Sequence, residues 1–218
     1  MDLSRNQLTD ITIILCINTV PLLGVLTAGW DAYAVVMFYW FETAIFGFWG
    51  IVRVLMGDAT DPDGLVRNVL VNLPKALFLI VHASIFMIVH LVFITVFFTD
   101  GSLFDVNPIR TFRTLVMDGG MWLPLLAVFV LRGGSEWLEL RWGENQAETA
   151  MLRFYTRIIV MQISIIATGW VITATGANGL LFVLIAVKTA VDVMTGPLGM
   201  DMRALGLGSS KSTVRPRE

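Results

Sequence analysis

Two histidines, His82 and His90, lie in the apolar segment "ALFLIVHASIFMIVHLVFITVFF" and are the only histidines of the chain. Imidazole can ligate a metal or exchange a proton near neutral pH. A spacing of eight residues corresponds to about 80° around an α-helix and about 12 Å along it. The two rings can therefore share a helix face but cannot ligate one metal together. A bis-histidine haem needs rings from opposing helices, and the sequence excludes it.

Other ionisable and amide side chains also interrupt apolar segments. A charged side chain at the centre of a bilayer costs about 2.5–3.5 kcal/mol on insertion scales, so such residues usually face a helix bundle and pair. Asn18 adds an amide in the first apolar segment. We interpret the others, with the histidines, as a candidate functional polar layer: Glu42, His82, His90, Arg132, Glu136, Gln162, Lys188 and Asp192.

The spacing of four of these charges predicts two ion pairs. Arg132 and Glu136, like Lys188 and Asp192, are four residues apart, which places opposite charges on one helix face. Glu42 has no such local partner. We expect it to need a cation from another helix, a metal or a proton.

Three roles for the histidines follow from these residues. Each ring could be hydrogen-bonded within a polar network, could relay protons, or could bind a metal together with Glu42. The metal candidates are thus Glu42, His82 and His90, with further ligands needed from Asp192, Glu136 or Gln162. Ser135 in "GGSEW" has no histidine in the last apolar segment to act as its base. The sequence therefore does not favour an enzyme.

Composition defines the class of protein. Hydrophobic residues make up 56% of the chain and charged residues 15%, against about 45–50% and about 25% in soluble domains. Such a chain is expected to need a lipid bilayer as its partner. The net charge of −2 argues against a nucleic-acid partner, which would require a basic surface.

Hydropathy predicts an all-α, polytopic integral membrane protein. A helix of roughly 20 residues crosses about 30 Å of hydrocarbon. We expect residues 1–200 to form a single six-helix transmembrane domain and residues 201–218 a polar, disordered cytoplasmic tail. The six predicted spans are residues 9–28, 31–52, 76–98, 121–142, 154–175 and 178–197.

Two loops are predicted to form short interfacial helices. "DGLVRNVLVNLPK" has an apolar face and is expected to stop at Pro74. "NPIRTFRTLVMDGG" has Asn107 as N-cap, Pro108 at the first helical position and a glycine stop. The seven tryptophans are expected to form belts at the membrane interfaces.

The basic residues predict the orientation. Outside the spans, the end without the termini has only Arg110 and Arg113. By the positive-inside rule both termini are then cytoplasmic. The connections "GW" and "GA" predict tight hairpins between helices 1 and 2 and helices 5 and 6. The end that bears both termini has Arg5, Arg53, Arg67, Lys75, Arg141, Arg153, Arg157, Arg203, Lys211, Arg215 and Arg217.

Several short motifs carry a resemblance. They are "NTVPLLGVLTAGW", "YWFE" with Glu42, the spacing His-x-x-x-Phe-x-x-x-His-x-x-Phe from His82 to Phe93, and "KTAVD" from Lys188 to Asp192. With these motifs the chain resembles a prokaryotic family of multi-pass membrane proteins, domain of unknown function 6498. That family often has histidine where this chain has Gln162, which puts a metal site in doubt. The resemblance implies six helices and a shared polar centre, and it implies no activity.

We therefore expect a multi-pass protein of a prokaryotic cytoplasmic membrane. The leading functional hypothesis is a small transporter or proton-coupled membrane protein built around the Glu42 layer. One alternative is a metal-dependent intramembrane enzyme that uses Glu42 with His82 or His90. The other is a structural or accessory subunit, in a homo-oligomer or a membrane complex, whose polar layer only fixes helix register.

Overall fold

The structure is a computed structural model, and the part of the chain that it describes is helical. This part comprises residues 5–56, 65–98 and 107–142, with residues 155, 158–159, 185–186, 188–190 and 192–193. The helices are α1 (Arg5–Ala28), α2 (Ala32–Met56), α3 (Leu65–Phe98), α4 (Pro108–Phe112), a π-helical segment (Arg113–Asp118) and α5 (Trp122–Trp142). No strand occurs within these residues, as the all-α prediction requires.

A tight turn joins α1 to α2, as the "GW" connection predicted. Gly29 takes a φ of +67°, a backbone conformation in which glycine carries no steric penalty. The Trp30 N–H donates to the Gly24 carbonyl, and a Cβ at Gly24 would collide with the Trp30 ring. Asp31 caps α2, since its Oδ1 accepts from the Ala34 N–H at 2.8 Å. The turn therefore fixes where α2 begins.

The prediction of a separate interfacial helix ending at Pro74 is wrong. α3 runs without interruption from Leu65 to Phe98, with Pro74 inside it. Proline removes one helical hydrogen bond, but the apolar residues on both sides favour continuing the helix. At 34 residues α3 is about 51 Å long, well beyond the roughly 30 Å of a hydrocarbon core. Its first turns can therefore still lie outside that core.

The second predicted interfacial helix is present and ends at a sharp bend. Asn107 Oδ1 accepts from the Arg110 N–H at 3.0 Å, and Pro108 begins α4. The helix continues as the π-helical segment and ends at Gly119. The next helix turns away by 93°. These local signals predicted both the start and the end of the element.

Three helical stretches are long and apolar enough to cross a membrane: Ile11–Ala28, Ala32–Met56 and Val66–Val96. Ile109–Asp118 and Trp122–Ser135 pass the same test as one bent pair. The described residues therefore contain three candidate spans, or four with that pair. The fifth and sixth predicted spans and the tail at 201–218 lie almost wholly outside the described residues.

α2 packs against α1, α3 and α5. Two tryptophans of α2 form hydrogen bonds with α3 and α5. Trp40 Nε1 donates to the Met87 carbonyl of α3 at 2.9 Å, and Trp49 Nε1 donates to the Phe129 carbonyl of α5 at 3.2 Å. The two indoles thus make contacts between helices, and the prediction that the tryptophans form interfacial belts stays a prediction. Both indoles are half-buried and bond backbone carbonyls of neighbouring helices.

The described residues beyond 142 pack onto the same bundle. Ile158 is buried against Val54 of α2 and Leu79 of α3. Ile185 belongs to a second apolar cluster, which contains Ile17 of α1. Contacts with α1 and α2 therefore position the end of the chain that carries Lys188.

Candidate functional site

Lys188 forms the centre of a buried polar cluster. Its Nζ lies 2.7 Å from Glu42 Oε2 and 2.7 Å from Asp192 Oδ2. The Lys188–Asp192 contact is the i,i+4 pair that the spacing predicted. The Glu42 contact joins residues 146 positions apart and identifies the cation from another helix that Glu42 was expected to need.

Asn18 extends the cluster to α1. Its Nδ2 donates to Asp192 Oδ2 at 3.2 Å and to the Ile14 carbonyl at 2.9 Å. Glu42 is 1% exposed, Asn18 4%, Lys188 7% and Asp192 9%. Four polar side chains from three separate parts of the chain are thus shielded together, so their interactions are only weakly screened.

Tyr39 is a member of the cluster that the sequence analysis did not select. Lys188 Nζ lies 4.5 Å from the centroid of its ring, within the range of a cation–π contact. Tyr39 precedes Glu42 by three residues, so ring and carboxylate occupy one face of α2. This spacing of three residues from Glu42 is the feature of the sequence that could have identified Tyr39.

Arg132 of α5 contacts a second aromatic ring on the face of α2 that carries Tyr39. Its guanidinium carbon lies 5.1 Å from the centroid of the Phe46 ring, and Phe46 follows Tyr39 by seven residues on α2. The Glu136 side chain and the whole of Gln162 lie outside the described residues. The predicted Arg132–Glu136 pair therefore stays a prediction.

The two histidines have different surroundings. His90 is 1% exposed. His82 is half-buried, and its ring lies 5.3 Å from that of Phe78, 5.1 Å from Phe86 and 5.5 Å from Tyr155, centroid to centroid. Within the described part of the chain His82 makes these ring contacts and no hydrogen bond to Glu42. A proton relay through the histidines stays a prediction.

Metal ligands do not converge within the described ranges. Among these residues, no three histidine, cysteine or acidic side chains are placed to hold one ion. The three metal candidates, Glu42, His82 and His90, therefore do not form such a group there. The carboxylate cluster instead offers oxygen atoms and one ammonium.

The arrangement can exchange charge. With all three groups ionised, the charges of Glu42, Lys188 and Asp192 sum to −1. When one of the two carboxylates takes up a proton, it loses its charge and with it most of its Coulomb attraction to the shared ammonium. The other carboxylate then holds the lysine.

One family model matches residues 1–206 of the chain, and its description is a family of unknown function (DUF6498). No curated protein and no solved structure matches the chain.

Proposed function

The chain belongs to DUF6498, a family of unknown function, and from its buried cluster we propose that it is a small proton-coupled transporter of the cytoplasmic membrane. The observation that carries the proposal is the position of Lys188 Nζ, 2.7 Å from a carboxylate oxygen of Glu42 and of Asp192. Ionisable residues within membrane helices commonly mark ion pathways and proton relays.

The proposed coupling step is an exchange of partners by Lys188. Glu42 lies on α2, whereas Asp192 lies four residues beyond Lys188 on its own helical segment. A proton on Glu42 weakens the contact that joins this segment to α2. A proton on Asp192 weakens the local pair and its bond with Asn18. Protonation of one carboxylate or the other thus favours different contacts between helices, which is what a two-state element requires.

The test is substrate-driven proton movement in vesicles. Purified full-length protein is reconstituted with a pH-sensitive dye inside, and pools of small metabolites are added outside. We expect one or more pools to change the internal pH with the wild type. Glu42→Gln should abolish the signal, because an amide cannot take up the proton.

Asp31→Asn is the matched control, since it makes the same type of change on the same helix. Asp31 caps α2, and asparagine caps helices as well as aspartate. It should keep the wild-type signal. Equal signals from Glu42→Gln and the wild type would contradict a role of Glu42 in coupling. A Glu42→Gln protein that is stable but moves no substrate would support it.

We further propose six spans with both termini cytoplasmic. Residues 155, 158–159, 185–186, 188–190 and 192–193 are helical. Ile158 packs against α2 and α3 and Ile185 against α1 and α2, which supports two more helices in the bundle. A reporter fused after Glu218 should be active in the cytoplasm, and one inserted near Asn107 should be external. Two fusions on the same side would contradict the six-span arrangement.

A further inference from the structure

The Ile109–Asp118 segment, formed by α4 and the π-helical segment, packs against the side of the bundle. It is bent by 93° from Trp122–Ser135 of α5. The Phe112 ring lies 5.9 Å from the Phe41 ring, centroid to centroid, and Val116 is buried in the apolar cluster that contains α2 residues. Phe41 is nine residues from the start of α2, or about 13 Å along the helix. The segment therefore contacts α2 within the length that is apolar enough to cross a membrane.

Part of the apolar surface of this segment extends beyond the bundle. Ile109 is 81% exposed and Met117 is 56% exposed. Ile109 precedes Phe112 by three residues, so the two side chains lie on one helix face. Phe112 contacts the bundle through Phe41, whereas Ile109 reaches past it. An exposed apolar side chain in this position is expected to contact lipid chains.

Two arginines lie beside this apolar surface. Arg110 and Arg113 each follow one of the two apolar residues, Ile109 and Phe112, so they share the neighbouring helix face. Both are exposed, and in the described part of the chain neither forms an ion pair. Apolar side chains on one face and arginines on the next are typical of a helix that lies in the headgroup region of a membrane.

We propose that Arg110 and Arg113 bind the phosphate of an anionic phospholipid, whose acyl chains cover Ile109. A guanidinium group pairs with phosphate through two parallel hydrogen bonds. A zwitterionic headgroup has its own ammonium, which competes with arginine for that phosphate, and an anionic headgroup has no such competitor. The two positive charges therefore select the anionic lipid. The inference goes beyond the proposed transport activity and does not rest on it.

The test places a reporter at Ile109. The chain has one cysteine, Cys16, so full-length protein with Cys16→Ser and Ile109→Cys has a single site for a fluorescent label. It is reconstituted in phosphatidylcholine vesicles with a small fraction of a spin-labelled, quenching lipid, either phosphatidylglycerol or phosphatidylcholine. We expect stronger quenching by the labelled phosphatidylglycerol. Added salt should weaken this preference, because it screens exposed charges.

Removing the arginines should remove the preference. In the same labelled background, Arg110→Gln and Arg113→Gln should each lower the relative affinity for phosphatidylglycerol about five-fold, the usual contribution of one basic residue at a membrane surface. The double variant should quench almost equally with both lipids. Thr114→Gln is the matched control, because it places the same side chain at an exposed position of the same segment and keeps both charges. It should retain the full preference.

Three outcomes would overturn the proposal. Equal quenching by the two lipids with both arginines present would show that no anionic lipid is selected there. A folded double variant that keeps the full preference would show that other groups hold the lipid. An equal loss in Thr114→Gln would show that the charges are not the cause. If the double variant does not fold, the single variants and the salt dependence decide, and a preference that salt does not weaken would overturn the proposal. None of these measurements requires transport, so their outcome is separate from that of the proposed function.

Discussion

Two cations lie over two aromatic rings of α2, and their surroundings differ. Lys188 lies over Tyr39 and Arg132 over Phe46, and the two rings are seven residues apart, or about 10 Å along the helix. Lys188 is buried and also contacts the carboxylate of Glu42, which lies on the same face of α2 as Tyr39. Arg132 is half-buried.

The Arg132 and Lys188 positions look alike in sequence but contact different groups of α2. Arg132 and Lys188 are each followed by an acid four residues later. Glu42, which lies between the two rings on α2, places its carboxylate 2.7 Å from Lys188 Nζ. The Lys188 position is therefore where a change of charge has the greater consequence, and four changes test this contrast.

Replacing Lys188 should have the largest effect. Lys188→Met leaves the carboxylates of Glu42 and Asp192 buried without their shared ammonium, and loss of one partner of a buried ion pair costs about 3–5 kcal/mol. We expect a large loss of folded protein, measured by size-exclusion yield and thermal unfolding. The triple change Lys188→Met, Glu42→Gln, Asp192→Asn should recover most of the yield. A triple variant no more stable than Lys188→Met would contradict the dominance of unpaired charge.

Separating α5 from α2 should have the next largest effect. A Cβ at Gly133 would collide with the Trp49 ring, whose Nε1 is held by the Phe129 carbonyl. Gly133→Ala should therefore cost about 1–3 kcal/mol by overpacking, measured by thermal unfolding. Gly134→Ala is the control, because nothing lies within 4 Å of its Cβ position. Equal losses in the two variants would show that Trp49 is not the cause.

The contact between Arg132 and Phe46 should contribute less. A double-mutant cycle with Arg132→Met and Phe46→Leu isolates this pair from every other contact of either residue. We expect a coupling energy of about 0.5–2 kcal/mol, the range for cation–π contacts. The cycle is measured by the shift in unfolding midpoint. A coupling energy larger than the loss in Lys188→Met would reverse the ranking of the two cations.

The coupling of His82 to Glu42 should be the smallest effect. Since the described contacts of His82 are ring contacts, His82→Phe should couple to Glu42→Gln by less than about 0.5 kcal/mol. His90→Phe, at the buried histidine, is the comparison. Both cycles are measured as unfolding midpoints across neutral pH. A large pH-dependent coupling for His82 would support proton exchange between that ring and Glu42.

The sequence predicted the local features and missed contacts between distant residues. The Lys188–Asp192 pair and the Asn107 cap depend on residues three or four positions apart, where helix geometry alone decides the contact. The partner of Glu42 is 146 residues away, so its need for a cation was predictable and the identity of the cation was not.

Pro74 and Trp49 show what local rules leave out. Pro74 was assigned a helix end by a local rule, but one lost hydrogen bond did not outweigh a continuous apolar helix. The residue type of Trp49 suggested an interfacial position but did not predict its hydrogen bond to the Phe129 carbonyl of α5. The partner of the Trp49 indole lies on another helix, and a local pattern does not contain that information.

The long separation between Glu42 and Lys188 also has a consequence for biosynthesis. At ribosomal rates of about 5–20 residues per second, the 146 residues between them take roughly 7 to 30 s to make. Throughout that time α2 exists without the ammonium that its carboxylate contacts in the finished protein. Whatever machinery receives the nascent chain must accommodate Glu42 until the last segment arrives. The contact between Glu42 and Lys188 can therefore form only after the segment with Lys188 is made, even though the hairpin of α1 and α2 is made early.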